Sequence, residues 1–260
     1  MAPSRLRRIL GIVHRVWVIA GASSLVVFVT WALLAYRPSG EARRAMESDA
    51  RVVVVEADAY WTFTPTGARN HRTALLFFPG ALVDPVAYAP LLRRVAERGY
   101  PALLVRVPRR AAFGGAEGLP PIERAREGMR AVETLQWVVA GHSRGAEIAA
   151  RMLLESPERL SALVLIGSSH PRDISLAHLT VPIARVYGTR DTIADVTKVE
   201  ATRHNLPAGA RQIRIGGGNH SQFGYYGFQP GDWPATISRE AQQAITLEVL
   251  LDALGSARPD

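Results

Sequence analysis

The sequence predicts an α/β fold, in which a mostly parallel sheet is covered by helices on both faces and preceded by one transmembrane helix. In residues 51–260, short apolar runs rich in β-branched residues alternate with longer helix-like stretches, and several runs are apolar on both faces. Strands of that kind belong to parallel sheets with helices on each side. A separate uncharged segment near the N-terminus is long enough to cross a bilayer.

The chain begins with a basic tail followed by a long apolar segment. Residues 1–15 contain four arginines, and residues 16–36 read VWVIAGASSLVVFVTWALLAY, with no ionisable side chain except the last. At ~1.5 Å per residue, a helix of this length crosses the ~30 Å hydrocarbon core of a membrane. Trp17, Trp31 and Tyr36 lie near its ends, where aromatic rings favour the interface. We therefore expect a transmembrane helix at residues 16–36, with the lipid bilayer as its partner.

The same segment admits two alternatives, a buried core helix and a cleaved signal peptide. Core helices are usually shorter, and arginines flank this segment on both sides, at Arg15 and Arg37. The apolar part of a signal peptide spans ~7–15 residues, so an uncleaved signal anchor fits better. Arginines before the span resist export, whereas a long folded domain after it can be translocated. The sequence therefore favours a single-pass protein of the cell membrane with its folded domain outside the cytoplasm. Arg37, Arg43 and Arg44 oppose this orientation.

Residues 37–50 are small and polar and predict a short linker or helical stub, which places the folded domain at residues 51–260. The net charge of the chain is +8 at pH 7, and most of the excess arginine lies in residues 1–44. The domain is therefore nearly neutral, and we expect no nucleic-acid partner. The sequence contains no cysteine, which excludes disulfides, cysteine-ligated metal centres and a thiol nucleophile. We expect no cofactor and no metal.

The domain contains predicted strands separated by predicted helices. The strands are 51–57, 73–79, 101–107, 137–141, 160–167, 183–188 and 211–217. The helices are 85–98, 121–135, 145–155, 194–204 and 238–254. Pro85 and Pro121 suit a first helical turn, and Gly99 suits the residue just after a helix. Asp84 is expected to be the N-cap of the helix that begins at Pro85.

One predicted strand runs directly into a serine-containing turn and then into a helix. The strand residues WVVA are followed by Gly141-His142-Ser143-Arg144-Gly145 and then by the helical stretch AEIAARMLLES. In a G-x-S-x-G turn of this kind, the glycines permit close backbone approach and the serine hydroxyl projects above the sheet. The helix N-terminus also favours negative charge there. The alternative is a small residue in an ordinary tight turn, and the strand–turn–helix context argues against it.

The partners that a nucleophilic serine needs lie after two later strands. A serine hydroxyl requires a base, and the base requires a carboxylate to orient it. Asp191 follows the predicted strand 183–188, and His220 lies in GGGNHSQFG, directly after the strand 211–217. Both are therefore expected at the sheet edge where Ser143 emerges. Asp195, four residues further on, and Asp173, after the preceding strand, remain alternatives to Asp191.

These motifs resemble the α/β-hydrolase family, in particular its small, lidless bacterial members. The matching segments are FFPGALVDPVAYAPLLRRVAERGY, GHSRGA, VYGTRD and GGNHSQFGYYGFQPGD, and the resemblance covers essentially all of residues 51–255. It implies Ser143 as the nucleophile, Asp191 as the orienting acid and His220 as the general base. The implied architecture is the α/β-hydrolase fold with a mostly parallel sheet.

The resemblance also implies an oxyanion hole built from backbone N–H groups. The donors would be Ala81 and Arg144, with Leu82 as the alternative to Ala81. Where the family often has His-Gly after its third strand, this chain has Pro79-Gly80, which keeps the glycine and the turn. We therefore expect the oxyanion hole to form despite the replacement of His-Gly by Pro79-Gly80.

The implied function is that of a serine hydrolase that cleaves a carboxylic ester or related acyl bond of a small molecule through an acyl-enzyme on Ser143, as a carboxylesterase does. The alternatives are a catalytically silent binding module at the membrane and a peptidase, thioesterase or lipase of the same fold. Only about 15 residues separate the strands 160–167 and 183–188, which leaves no room for a large cap domain. The aromatic residues after His220 are expected either to wall an apolar pocket, to face the membrane or to cover the sheet. They are Phe223, Tyr225, Tyr226, Phe228 and Trp233.

Overall fold

The computed structural model describes residues 5–68 and 72–256. Residues 1–4 of the predicted basic tail, and residues 69–71 and 257–260 of the predicted domain, lie outside the described part. The described strands are β1 (Val52–Glu56), β2 (Tyr60–Pro65), β3 (Thr73–Phe78), β4 (Ala102–Val105), β5 (Gln136–His142), β6 (Leu160–Ile166), β7 (Ile183–Gly188) and β8 (Arg211–Ile215). The described helices are α1 (Arg5–Ala35), α2 (Gly40–Arg44), α3 (Ala89–Glu97), α4 (Pro120–Ala131), α5 (Arg144–Glu155), α6 (Val196–Ala201) and α7 (Arg239–Ser256).

The strands form one sheet in the order β1-β2-β4-β3-β5-β6-β7-β8. β2 runs antiparallel to both of its neighbours, β1 and β4, whereas all the other neighbouring pairs are parallel. The predicted mostly parallel sheet is thus confirmed. Because β3, β5, β6, β7 and β8 point the same way, their carboxyl ends lie along one edge of the sheet, where ligands bind in open α/β folds.

The strand β2 is absent from the sequence prediction, although its tyrosine, tryptophan, threonine and phenylalanine are residue types that favour strands. It follows β1 after a short turn in which the Ala57 N–H donates to the Tyr60 carbonyl at 2.9 Å. Trp61 and Phe63 on this strand are buried. An antiparallel hairpin at the edge of a parallel sheet breaks the strand–helix alternation from which the other strands were predicted.

Helices cover both faces of the sheet, as predicted. On one face, α3 and α7 bury Leu92 and Leu250 against the strands. On the other face, α4 and α5 bury Ile122 and Ile148. Burial of a side chain of this size contributes about 1.5–3 kcal/mol, so the two layers fix the sheet that carries the site.

Three predicted helices differ in detail from the observed ones. The predicted helix 85–98 begins as a 3-10 turn, and Asp84 caps it by accepting the Val86 N–H at 3.1 Å. The predicted helix 121–135 ends early, as α4, because Val132 adopts an extended backbone with φ −115°. The predicted helix 194–204 is shorter, as α6, and Asp195 is its N-cap, accepting the Lys198 N–H at 2.9 Å.

The helix α1 starts well before residue 16, the predicted beginning of the apolar segment. Its portion Arg7–Trp31 has a mean hydropathy of 1.9 and is not buried in the structure. Among the described residues it is the one helix long and apolar enough to cross a membrane, and a signal sequence near an N-terminus has the same character.

Residues 37–50, predicted as a short linker or helical stub, contain the short helix α2 and pack against the domain. Ser39 caps α2 by accepting the Ala42 N–H at 3.1 Å, and Ala42 is fully buried. The Arg93 side chain on α3 donates to the carbonyl oxygens of Ala45 and Glu47 at 3.1 and 2.7 Å. The segment therefore holds the end of α1 in a fixed position against the sheet domain.

Candidate active site

Ser143 occupies the sharp turn between β5 and α5. Its backbone has φ 53° and ψ −117°, a conformation that residues other than glycine rarely adopt. A Cβ at Gly141 would lie 2.2 Å from the Gly145 carbonyl oxygen, so the turn closes only with glycine there. The Ser143 N–H donates to the Ile166 carbonyl at 2.9 Å, and the Ser143 carbonyl accepts from the Ser168 hydroxyl at 3.0 Å. These contacts hold Ser143 at the carboxyl edge of the sheet.

Asp191 and His220 form a buried hydrogen-bonded pair after β7 and β8. The distance from His220 Nδ1 to Asp191 Oδ2 is 2.8 Å. The other oxygen, Asp191 Oδ1, accepts the backbone N–H groups of Ile193 and Ala194 at 2.9 and 2.7 Å. Because an ionised carboxylate only accepts, Nδ1 carries the proton and Nε2 of His220 is left as a proton acceptor.

The structure brings Ser143 and His220 together on the wall of one pocket of about 320 Å³. No hydrogen bond joins the Ser143 hydroxyl to His220 in the described part of the chain, and such bonds often tighten only when substrate binds. The alternative acids Asp173 and Asp195 do not contact His220. Asp195 caps α6, and Asp173 is exposed. Within the described residues, no group of three or more histidine or acidic side chains is placed to hold a metal ion.

The residues predicted as oxyanion donors line the same pocket, and the backbone N–H groups of Ala81 and Arg144 have no acceptor among the described residues. In the turn after β3, the Gly80 N–H donates to the Tyr88 hydroxyl at 3.0 Å and the Leu82 N–H to the Arg110 carbonyl at 2.8 Å. Of the two candidate donors in this turn, the Ala81 N–H is thus free and the Leu82 N–H is engaged, which favours Ala81 as an oxyanion donor. The Arg144 N–H is the second free donor, since it is the first of α5.

A family model described as the alpha/beta hydrolase family matches residues 74–244. The chain belongs to the alpha/beta hydrolase family. The match covers both the turn that carries Ser143 and the strand ends that carry Asp191 and His220. No curated protein matches the sequence of the chain.

Solved structures of low sequence identity share the hydrolase fold. Est1E from Butyrivibrio proteoclasticus is 12% identical with a TM-score of 0.55, over 79% of this chain and 100% of that one. A ferulic acid esterase from Streptomyces cinnamoneus is 17% identical with a TM-score of 0.58, over 75% of this chain and 70% of that one. A structure described as a membrane phospholipase A and bacterial virulence factor is 16% identical with a TM-score of 0.55, over 96% of this chain and 99% of that one.

A buried tyrosine–histidine pair, Tyr88 and His142, packs beside the candidate site. The Tyr88 hydroxyl lies 2.8 Å from Nδ1 of His142. Because that hydroxyl already accepts the Gly80 N–H, it offers its own proton to His142. Burial lowers the pKa of His142 well below its usual value, so the ring is neutral at pH 7. Its centroid lies 4.5 Å from that of the His220 ring. Tyr88 therefore links the Gly80 turn to His142. No local sequence pattern predicts this contact.

Asp232 fixes the loop that carries His220. Its carboxylate accepts the backbone N–H groups of His220 and Ser221 at 3.2 and 2.9 Å, and the Ser221 hydroxyl at 2.9 Å. Burial raises the pKa of Asp232. The residue ends the quoted segment GGNHSQFGYYGFQPGD, but its sequence position alone does not show that it turns back to the histidine.

The aromatic residues after His220 do not line the pocket. Phe223, Tyr225 and Tyr226 are buried, and Phe228 and Trp233 are exposed. The pocket is instead walled by the turn after β3, by Tyr36 and by the connection between β6 and β7. That connection contains no helix or strand, so the pocket has no cap domain at this position.

Proposed function

We propose that the chain is a serine hydrolase that cleaves a carboxylic ester through an acyl-enzyme on Ser143. The observation that carries this proposal is the hydrogen-bonded Asp191–His220 pair, which shares a pocket with Ser143. In the first step, Nε2 of His220 takes the proton of the Ser143 hydroxyl while the oxygen attacks the ester carbonyl carbon. The C–O bond then breaks, and the alcohol leaves with the proton from His220. A water molecule, activated in the same way, releases the carboxylic acid and restores Ser143.

The free N–H groups of Ala81 and Arg144 would stabilise the oxyanion of each tetrahedral intermediate. Such donors lower the barrier because they point at the developing charge before the reaction starts. A catalytically silent binding module would have no use for two unengaged N–H groups beside a hydroxyl and an oriented imidazole. This argument favours an enzyme over the silent alternative.

The ester assignment is tested against the thioesterase and peptidase alternatives with matched substrates. Butyrate linked to p-nitrophenol, to a thiol and to p-nitroaniline presents the same acyl group with three leaving groups. We expect the ester to give the highest kcat/KM and a butyryl group on the Ser143 peptide by mass spectrometry. Faster cleavage of the thioester or the anilide would reassign the reaction, and an acyl group on another residue would remove Ser143 from it.

The Arg144 side chain is expected to contribute little to the reaction, because its guanidinium is engaged by two carboxylates. Its guanidinium pairs with Glu117 and, at 2.7 Å, with Glu147. We predict that Arg144→Gln lowers kcat/KM for a p-nitrophenyl ester by less than about tenfold. A loss above a hundredfold, about 3 kcal/mol in the barrier, would show instead that the side chain binds substrate.

We also propose that α1 is an uncleaved anchor rather than a signal peptide. Its last residues are bonded to the domain: the Ala35 carbonyl accepts the Gly227 N–H at 2.8 Å, and the Tyr36 carbonyl accepts the Asp84 N–H at 3.1 Å. Cleavage at the end of the helix, after Ala35, would remove the first of these contacts. The match to the membrane phospholipase A, which covers 96% of this chain, also supports the proposal. The basic start of the chain favours a cytoplasmic N-terminus and an exported domain.

The orientation is tested by protease treatment of intact cells that carry a C-terminal tag on the protein. We predict that the tag is lost, because the domain lies outside the cytoplasm, and that untreated cells show the full-length chain. An exported protein of known topology and a cytoplasmic protein serve as controls. Complete protection of the tag, while the exported control is digested, would reverse the orientation. A shortened chain in untreated cells would identify a cleaved signal.

A further inference from the structure

The end of α1 forms one side of the candidate active-site pocket. Tyr36 follows a helix whose apolar portion Arg7–Trp31 is not buried, yet Tyr36 itself is only 8% exposed. Its side chain stands on the pocket wall with those of Leu82, Val83 and Ile193. The bonds from Gly227 to Ala35 and from Asp84 to Tyr36 hold this wall on both sides. The pocket is therefore incomplete without the end of the apolar helix.

The contact between this helix end and the domain is a close backbone approach. A Cβ at Gly227 would lie 2.9 Å from the Ala35 carbonyl oxygen. The aromatic ring of Tyr36 also contacts a ring of the helix and a ring of the domain. The ring centroids of Trp31 and Tyr36 are 6.5 Å apart, and those of Tyr36 and Tyr226 are 5.9 Å apart. With α1 in a bilayer, this aromatic series lies at the lipid–water interface, where such rings are favoured. The pocket then opens at the level of the lipid ester groups.

The pocket has one apolar and one polar side. The apolar side is formed by Tyr36, Leu82, Val83 and Ile193, and the polar side includes Ser169 and Arg172. The Arg172 guanidinium donates to the Ser169 hydroxyl at 3.0 and 2.5 Å.

No carboxylate lies within ion-pair distance of Arg172 in the part of the chain that the structure describes. Arg172 is exposed, and its guanidinium, on the wall of the pocket that holds Ser143, is free to bind a phosphate on the alcohol part of an ester.

We propose that this site takes a glycerophospholipid from the bilayer, with its acyl chain against Tyr36 and its phosphate at Arg172. The proposal rests on the proposed serine hydrolase function. The acyl ester C–O bond breaks, the acyl group passes to the Ser143 oxygen, and the lysophospholipid leaves with the proton from His220. Water then releases the fatty acid. The anchor thus supplies both the location of the enzyme and a part of its substrate site.

The test uses the full-length protein in vesicles that contain either a phosphatidylglycerol or an uncharged diacylglycerol with the same acyl chains. Fatty-acid release is measured beside the hydrolysis of p-nitrophenyl acetate, which reports the basic reaction. We expect the wild type to hydrolyse both lipids and the acetate. In Arg172→Gln, the ratio of phospholipid to diacylglycerol hydrolysis should fall about tenfold or more, because one charge-assisted contact is lost. Arg203→Gln, an exposed arginine on a 3-10 turn, is the matched control and should keep the wild-type ratio.

The acyl wall is tested in the same vesicles with Tyr36→Ala and Tyr36→Phe. Tyr36→Ala should lower the hydrolysis of both lipids about tenfold or more relative to the acetate, whereas Tyr36→Phe should keep the wild-type ratio because it retains the ring. Thermal unfolding checks that each variant is folded. Acetate hydrolysis without lipid hydrolysis, or unchanged ratios in Arg172→Gln and Tyr36→Ala, would overturn the lipid proposal and leave the hydrolase intact. Failure to hydrolyse the acetate as well as the lipids would overturn the hydrolase itself.

Discussion

Replacing Ser143 by alanine is expected to lower ester hydrolysis by about four orders of magnitude or more, because loss of the proposed nucleophile removes the covalent route entirely. The fold should be retained. The strained backbone at φ 53° is set by Gly141, Gly145 and the bonds to Ile166 and Ser168, none of which involves the Ser143 hydroxyl. Initial rates with p-nitrophenyl butyrate measure the loss, and thermal unfolding measures the fold.

Ser175→Ala is the matched control, since Ser175 is exposed and lies outside the pocket. It should retain the full rate. A Ser143→Ala protein that is folded and keeps more than about a tenth of the wild-type rate would exclude Ser143 as the nucleophile. A low rate together with a large loss of thermal stability would show that the serine supports the turn instead.

The fold class and the candidate site residues could be predicted because they depend on local sequence patterns. The apolar runs of β3 to β8 and the glycine-flanked serine between β5 and α5 are local patterns, and the predicted α/β fold is confirmed. Asp191 and His220 were placed by their positions after strands, and the structure brings them into contact at 2.8 Å.

The features that could not be predicted depend on contacts between distant segments. Tyr88 meets His142 across 54 residues, and Asp232 returns to the His220 loop across 12 residues. Tyr36 was assigned only to the membrane span, because no property of residues 16–36 shows that the span ends against the pocket. The same limit applies to residues 37–50, predicted as a linker or helical stub: the helix α2 is present, but no local pattern shows that the segment packs on α3.

Replacing His220 by alanine is expected to lower the rate about as much as Ser143→Ala, because in the proposed mechanism the serine, the histidine and the aspartate act as a unit. Without this imidazole, the histidines left on the pocket wall are His142 and His170, and Nε2 of His170 lies 3.3 Å from a carboxylate oxygen of Glu147. His142 does not replace it, since its Nδ1 is engaged by Tyr88 and its Nε2 is buried without a partner among the described residues. The rate is measured with the same p-nitrophenyl ester in His220→Ala and in the double variant with Ser143→Ala.

The double variant decides the assignment. If His220 serves only to activate Ser143, its loss adds nothing once the serine is gone, so the double variant should match the single ones within about threefold. His204→Ala is the control, because His204 is exposed on a 3-10 turn away from the pocket, and it should keep the wild-type rate. A double variant slower than either single variant by about a hundredfold or more would mean that the two residues act independently. In that case His220 would not be the base that activates Ser143.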